Sequence, residues 1–385
     1  MNQEIQPKYR IAVNTRLLLN NQLEGIGWFS YNILKILATQ HPEHTFYYIF
    51  DRPYDQQFIF GDNVIPVVVS PPARHPILWY VWYEWSVVRV LKKIKADVFL
   101  SMDSYTSIGA TIPKITVIHD IAFVFFERQM PRLTQWYMRY FTPKFIESSD
   151  LVVTVSESTK NDMMSYYHTP ESKIIVANNA SSPSFQPMSE HDILRFKSEK
   201  TNQCDYFVYV GSIHPRKNVL NLLKAFEIYK NQMKDKVKLV LIGRFAWQSE
   251  DVSSYYETMM GREDVIFISH SSQSEISQWL AASLALVYVP LYEGFGIPLV
   301  EAMASHTPII CSDVSSMPEV VGDAGILVDC LNPFEIAQAM KSYAQNDSLR
   351  QEYIQKGIER SKKYTWEHAA NKIWEAIKMT LEHST

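Results

Sequence analysis

Short runs of β-branched and other apolar residues recur along the chain. They alternate with longer stretches in which apolar positions return every three or four residues. The first pattern predicts strands and the second predicts amphipathic helices. In the first half the apolar runs fall at 10–14, 45–50, 65–69, 97–101, 115–119, 151–155 and 173–176. In the second half they fall at 206–211, 238–243, 265–268, 285–289, 308–311 and 325–328. Most of them hold continuous Val, Ile and Leu runs, which predicts parallel sheets covered on both faces. A helix must then cross between consecutive strands in the right-handed sense. The stretch 178–200 interrupts the alternation, and its Ser181-Ser182-Pro183-Ser184 and Pro187 predict a linker. A fresh strand starts at Tyr206. The chain therefore reads as α/β with two Rossmann-like domains, 1–187 and 188–364. The terminal segment 365–385 carries a helical pattern with no strand after it.

With 385 residues there is room for two domains with cores of their own. Hydrophobic residues at 46% and charged residues at 20% are an ordinary globular balance. The net charge of −4 gives no electrostatic reason to expect a nucleic-acid partner. No apolar run reaches the length of a membrane span, and residues 1–10 are polar without a signal-peptide core. A cytoplasmic location is the expectation. Cys204, Cys311 and Cys330 are spaced too widely for a disulfide framework or a zinc pattern.

Aromatic residues make up 13% of the chain, and two segments concentrate them. One runs Ile77-Leu78-Trp79-Tyr80-Val81-Trp82-Tyr83-Glu84-Trp85 and turns basic at Arg89, Lys92 and Lys93. It reads as a membrane-surface or lipid-acceptor helix. The favoured reading is a core helix whose polar side is Glu84, Arg89, Lys92 and Lys93, and a platform for sugar rings is a further alternative. Trp136-Tyr137-Met138-Arg139-Tyr140-Phe141 carries the same alternatives.

Candidate chemistry gathers just after predicted strands, where ligands sit in open parallel sheets. The run ending at Val289 is followed by Pro290-Leu291-Tyr292-Glu293-Gly294-Phe295-Gly296 and then by a helical pattern. Such a strand–loop–helix unit offers free amides and a helix dipole to an anion. Glu293 in the loop and Glu301, about two turns into the helix, can accept hydrogen bonds from hydroxyls. Phosphate and hydroxyl binding together suggest a nucleotide-sugar, although a Gly-x-Gly after a strand is by itself a weak signal. Arg216 and Lys217 follow the strand 206–211. They suit a diphosphate, the arginine as a fork and the lysine as a point charge, or else form a surface pair. Arg244 is another cation at a strand end. Gly25 and Gly27 precede a helix expected to start near Trp28. They either let a phosphate or an acceptor approach the backbone or form a helix-start turn. Ser30 breaks the Gly-x-Gly-x-x-Gly pattern, which weakens a dehydrogenase reading. His119 closes an apolar strand and points to a ligand or to backbone. Asp120 caps or orients.

The spelling Glu293-Gly294-Phe295-Gly296-Ile297-Pro298-Leu299-Val300-Glu301-Ala302-Met303-Ala304 closely resembles the signature of the retaining glycosyltransferases of family 4. Ser315-Ser316-Met317-Pro318-Glu319-Val320-Val321-Gly322 and Gly211-Ser212-Ile213-His214-Pro215-Arg216-Lys217-Asn218 are similar to the same family. The resemblance is strongest over 207–329 and looser before it, where Gly25-Ile26-Gly27 and His119-Asp120 keep the expected order.

The resemblance implies a GT-B fold, two Rossmann-like domains facing across a cleft, with the last helix crossing back to the N-terminal domain. The first domain would bind a glycan or lipid-linked glycan acceptor, and the second a nucleotide diphosphate sugar. The spelling is most similar to mannosyltransferases, so GDP-mannose leads and a UDP-hexose follows. Lys217 and Arg216 fit the diphosphate positions, with Gly211 and the loop Gly294-Phe295-Gly296 beside them. Glu293 would contact the donor sugar, Glu301 the ribose, and His119 the sugar's hydroxyl face. No cofactor is implied, and the absence of an Asp-x-Asp motif argues against a required metal ion. The architecture also suits a nucleotide-sugar epimerase, a phosphorylase or a non-catalytic nucleotide-sugar-binding subunit. A pyridoxal-type phosphorylase would need a longer chain and a cofactor lysine.

Overall fold

Parallel pairing of every run predicted as a strand organises the chain. The computed structural model describes residues 8–20, 23–126, 130–245 and 250–382. These divide into two compact units, Met1–Asn179 with Trp366–Thr385, and Ala180–Thr365. The first unit contains β1 (Arg10–Asn14), β2 (Thr45–Phe50), β3 (Val64–Val68), β4 (Val98–Ser101), β5 (Lys114–Ile118), β6 (Leu151–Thr154) and β7 (Ile174–Val176). They form one parallel sheet in the order β3-β2-β1-β4-β5-β6-β7. The second unit contains β8 (Tyr206–Val210), β9 (Lys238–Ile242), β10 (Val265–Ile268), β11 (Ala285–Tyr288), β12 (Ile309–Ser312) and β13 (Ile326–Val328). Their order is β10-β9-β8-β11-β12-β13, again parallel.

Strands β4, β5, β6, β8, β11 and β12 are buried at every residue. Side chains on both faces must therefore pack under helices, and continuous Val, Ile and Leu runs satisfy that demand. Polar residues enter at the carboxyl ends: Asn14 closes β1, Ser101 closes β4 and Ser312 closes β12. The strand order reverses between β1 and β4 in one sheet and between β8 and β11 in the other. These are the switch points beyond which open α/β sheets hold their ligands.

Gly243, just past β9, has φ +152, and a Cβ there would lie 1.8 Å from the carbonyl oxygen of Gly211. Glycine alone lets the chain ends after β8 and β9 run this close. The helix Trp366–Glu382 belongs to the first unit. Trp374 stacks on His41 with centroids 3.7 Å apart, and Trp366 meets Phe29 edge-on at 6.1 Å.

Two sequence expectations need correction. The stretch 178–200 is not all linker, because Glu190–Thr201 is a helix. Ser189 caps it by accepting from the Asp192 amide, and only Phe196 and Thr201 are buried. So polar a helix shows almost no apolar periodicity. The aromatic segment is also not one plain helix. It runs as α-helix over Pro76–Val81, π-helix over Trp82–Val87 and α-helix over Val88–Ile94. Among the described residues no helix is long and apolar enough to cross a membrane.

Candidate active site

Two loops at the β8/β11 switch point are stitched together. After β8 the chain makes a single 3-10 turn, Pro215–Lys217. His214 enters it by accepting from the Arg216 amide through Nδ1. Asn218 leaves it with φ 61, and its buried Nδ2 donates to the carbonyls of Val289 at 2.9 Å and Cys330 at 2.7 Å. The amide of Leu291 donates to the Arg216 carbonyl at 2.9 Å. These bonds fix the loop after β8 against the loop after β11.

Arg216, Lys217 and Glu293 consequently meet. Lys217 Nζ donates to Glu293 Oε1 and, at 2.8 Å, to the hydroxyl of Tyr288. That hydroxyl donates to the same Glu293 oxygen at 2.9 Å. Arg216 donates from Nη1 to the Tyr292 carbonyl at 2.7 Å, and Nη1 lies 3.4 Å from Glu293 Oε1. The side chains of Glu293, Lys217 and Arg216 are only 10%, 15% and 19% exposed. Burial works to raise the Glu293 carboxyl, but Lys217 and Arg216 outweigh it and hold the group at about 2. Glu293 is therefore a carboxylate at neutral pH, and the three groups together carry one positive charge in excess. The Glu293 backbone is fixed as well: its amide donates to Ser315 Oγ, and its carbonyl accepts from Ser315 and Ser316, each at 2.9 Å.

The glycine loop follows directly. Gly296 has φ +91 and precedes the helix Ile297–Ala304, and a Cβ on it would come within 2.5 Å of Met317. Phe295 is buried edge-on to Tyr364 at 5.4 Å and anchors the loop. The helix starts at Ile297, so Glu301 lies one turn in, not two. Burial pushes its carboxyl up to about 8, and no side-chain hydrogen bond or ion pair holds it among the described residues. Gly211 directly follows β8 with φ +150. Arg244 is exposed past β9, where its carbonyl accepts from the Ile213 amide at 2.9 Å.

The remaining sequence candidates lie in the first unit. The helix Gly25–Gln40 starts at Gly25 instead of near Trp28. Gly25 and Gly27 are thus in its first turn, and a Cβ on Gly27 would press at 3.0 Å on the Leu17 carbonyl and on Leu23. Close packing explains Gly27 without a ligand. His119 follows β5, and its Nε2 lies 2.8 Å from the Met102 carbonyl. Burial lowers its affinity for a proton, against the opposing pull of that carbonyl, Asp120 and Asp103. The Asp120 side chain accepts from the Ala122 amide at 3.0 Å.

Sequence reasoning missed several residues here. Tyr288 reads as one more apolar strand position, yet its hydroxyl bridges Lys217 and Glu293. In the first unit Asn14, Arg16, Tyr83 and Asp103 form a buried polar network. Its one sequence signal is polar residues closing apolar strands, at Asn14 and just past Ser101.

With this geometry established, comparison with known proteins is specific. The sequence pattern described as Glycosyltransferase Family 4 matches residues 23–184, and that described as Glycosyl transferases group 1 matches residues 190–360. O-antigen chain mannosyltransferase B of Escherichia coli is 27% identical over 266 residues, 69% of this chain and 70% of that protein. O-antigen chain mannosyltransferase RfbU of Salmonella typhimurium is 26% identical over 280 residues, 72% and 74% of the two chains. The crystal structure of Anabaena HepE in complex with UDP-glucose superposes with a TM-score of 0.75 at 16% identity. It covers 96% of this chain and all of that one.

The ion cluster gives a pH-dependent test. The Glu293 carboxyl is depressed from an ordinary 4.5 to about 2 in the folded protein. Its contribution to stability is therefore complete above about 4.5 and is lost as pH falls towards about 2. The stability difference between wild type and Glu293→Gln, measured by urea unfolding, is expected to be flat at neutral pH and to shrink over that acid window. A difference that stays constant into the acid range contradicts the ion cluster.

Proposed function

Because the chain belongs to the family 4 and group 1 glycosyltransferases, we propose that it moves a hexose, mannose foremost, from a nucleotide diphosphate sugar to an acceptor hydroxyl with retention at the anomeric carbon. The product belongs to a glycan or polysaccharide. The second unit holds the donor and the first holds the acceptor. The observation that carries this reading is the buried cluster at the β8/β11 switch point, two cations against one carboxylate. A site with spare positive charge beside a glycine loop suits a diphosphate. The mannosyltransferase relatives support GDP-mannose as donor, and the UDP-glucose in HepE keeps a UDP-hexose second.

In the reaction the bond from the anomeric carbon to the phosphate oxygen breaks, and a bond to the acceptor oxygen forms on the same face. The acceptor's proton passes to the departing phosphate oxygen, so no side-chain nucleophile is required. Charge grows on the diphosphate as the bond breaks. Lys217, Arg216 and the amides from Gly294 to Gly296 stabilise it, and in many enzymes such stabilisation supplies most of the rate acceleration. Two fixed cations provide this without a required metal ion. Glu293 exchanges part of its hold on the cations for the donor's sugar hydroxyls. Glu301, whose carboxyl burial pushes up to about 8, accepts from the ribose hydroxyls through its carboxyl oxygens. His119 offers a neutral ring nitrogen to a substrate hydroxyl.

The aromatic segments support a membrane contact. Trp82, Tyr83, Val87 and Leu91 are core, so one side of the first segment is structural. The other side exposes Ile77 and Tyr80, and the helix Arg132–Ser148 exposes Leu133, Trp136 and Tyr140. Tyr80 meets Phe141 at 5.6 Å, Trp136 stacks on Tyr140 at 5.5 Å, and Lys144 Nζ lies 3.7 Å from the Tyr140 ring. An aromatic face edged by Arg132, Arg139 and Lys144 on a chain of net charge −4 suits an anionic lipid surface, where a lipid-linked acceptor would reside.

Turnover of GDP-mannose and binding of GDP test the central reading. Lys217→Ala is expected to lower turnover by about 100-fold and to weaken GDP while leaving guanosine binding little changed, and wild-type turnover should persist in EDTA. Wild-type turnover by the variant removes Lys217 from the site, and turnover lost in EDTA and restored by magnesium removes the metal-independent step. Co-sedimentation tests the membrane face: the protein should bind vesicles containing phosphatidylglycerol and not pure phosphatidylcholine, and Trp136→Ser with Tyr140→Ser should release it. Equal binding to both vesicles, or none to either, contradicts that contact.

A further inference from the structure

His119 is held by a segment to which it does not belong. Its Nε2 lies 2.8 Å from the carbonyl of Met102, and its amide lies 3.4 Å from Ser104 Oγ. Both groups are in the turn after β4, a different strand from the one that precedes His119. The turn is strained, because Ser104 has φ 71, a left-handed conformation uncommon for a residue with a side chain.

Asp103 sits between those two contacts. Its Oδ1 accepts from Asn14 Nδ2 at 2.7 Å and from the Tyr83 hydroxyl at 2.8 Å. Its Oδ2 accepts from Arg16 through Nε and Nη2, both at 2.8 Å. Arg16 also donates to the Ala73 carbonyl at 3.1 Å, and its guanidinium lies 5.3 Å from the Tyr105 ring centroid. Asn14, Arg16, Tyr83 and Asp103 are each at most 8% exposed. A buried ion pair of this kind is a poor route to stability, since apolar residues of similar volume often do as well. What it supplies is a fixed geometry, here at the β1/β4 switch point.

We propose that Asp103, clamped by Arg16, Asn14 and Tyr83, is a positioning residue for His119 that fixes the tautomer and orientation of its ring. The proposal rests on the reading that His119 takes part in glycosyl transfer. The chain of force is short. The clamp holds the Asp103 side chain, the turn around it keeps its strained backbone, and the Met102 carbonyl is presented to the ring. A carbonyl can only accept, so the neutral imidazole must carry its proton on Nε2. Nδ1 then remains the acceptor nitrogen, available to a hydroxyl. Without the clamp the turn can relax, the carbonyl moves, and both tautomers become populated.

The test joins a spectroscopic reading to a kinetic one. Long-range ¹⁵N–¹H spectra of the full chain report the His119 tautomer, and GDP-mannose turnover and GDP binding report function. Wild type should show His119 as the Nε2–H form. Asp103→Asn should give mixed tautomers and a fall in kcat of about 10- to 100-fold, the scale of a small misplacement, with GDP affinity unchanged. Tyr83→Phe removes one donor to Asp103 and no charge. It should shift the same two readings in the same direction by less, and it carries the test if Asp103→Asn does not fold. An Nε2–H signal and kcat unchanged in folded Tyr83→Phe and Asp103→Asn overturn the proposal, as does a shifted tautomer with unchanged turnover. If the wild type turns over neither GDP-mannose nor UDP-glucose, the glycosyltransfer reading fails, and the tautomer spectra alone decide whether Asp103 positions the ring.

Discussion

A buried carboxylate that only its cations make tolerable is the constraint on which the second unit turns. Glu293 lies almost out of solvent, and an unpaired charge there would cost several kcal/mol, on the order of the whole stability of a small domain. Lys217 and Arg216 relieve that cost, but only if two loops separated by more than seventy residues stay in register. Asn218 donating across to Val289, and Leu291 to Arg216, keep them there. The glycine loop, the short helix after it and the serines beneath Glu293 are held by the same requirement. The two cations are therefore held together, largely out of solvent, by the carboxylate they relieve.

The first unit repeats the device in the equivalent topological place. There the strand order reverses between β1 and β4, and Arg16 and Asp103 form a buried pair beyond those two strands. In the second unit the reversal lies between β8 and β11, and the pair is Lys217 and Glu293. At a switch point the crossover helices leave in opposite directions, so the loops diverge and open a crevice. Polar side chains placed there lose the cover of neighbouring loops and must satisfy one another. In the second unit this leaves an excess of positive charge that suits a diphosphate. In the first unit the charges balance, and the result is a rigid support for the turn that meets His119.

The strands were legible in the sequence because a doubly covered parallel strand must be apolar on both faces. Runs such as Leu239-Val240-Leu241-Ile242, short and rich in β-branched residues, meet that demand. The helix Glu190–Thr201 was not legible, since two buried residues make no periodicity. Nor was the start of a helix at Gly25, because glycine's low helix propensity argues against a first turn with two of them. Arg216, Lys217, Glu293 and the glycine loop stood out as motifs on two separate stretches. That the cations grip Glu293 itself was hidden, because an ion pair 76 residues apart leaves no local pattern. Tyr288 and the Asp103 network were hidden for the same reason: Arg16 and Asp103 are 87 residues apart and meet only through the register of β1 on β4.

If the diphosphate and Glu293 share the same two cations, binding one must weaken the hold on the other. The direct measurement is a ¹³C NMR titration of the Glu293 carboxyl in the full chain, with and without GDP. The account predicts a free-protein value near 2 and a clear rise towards the ordinary carboxylate range when GDP is bound. The same titration curve in both states, with GDP shown to be bound, would contradict it.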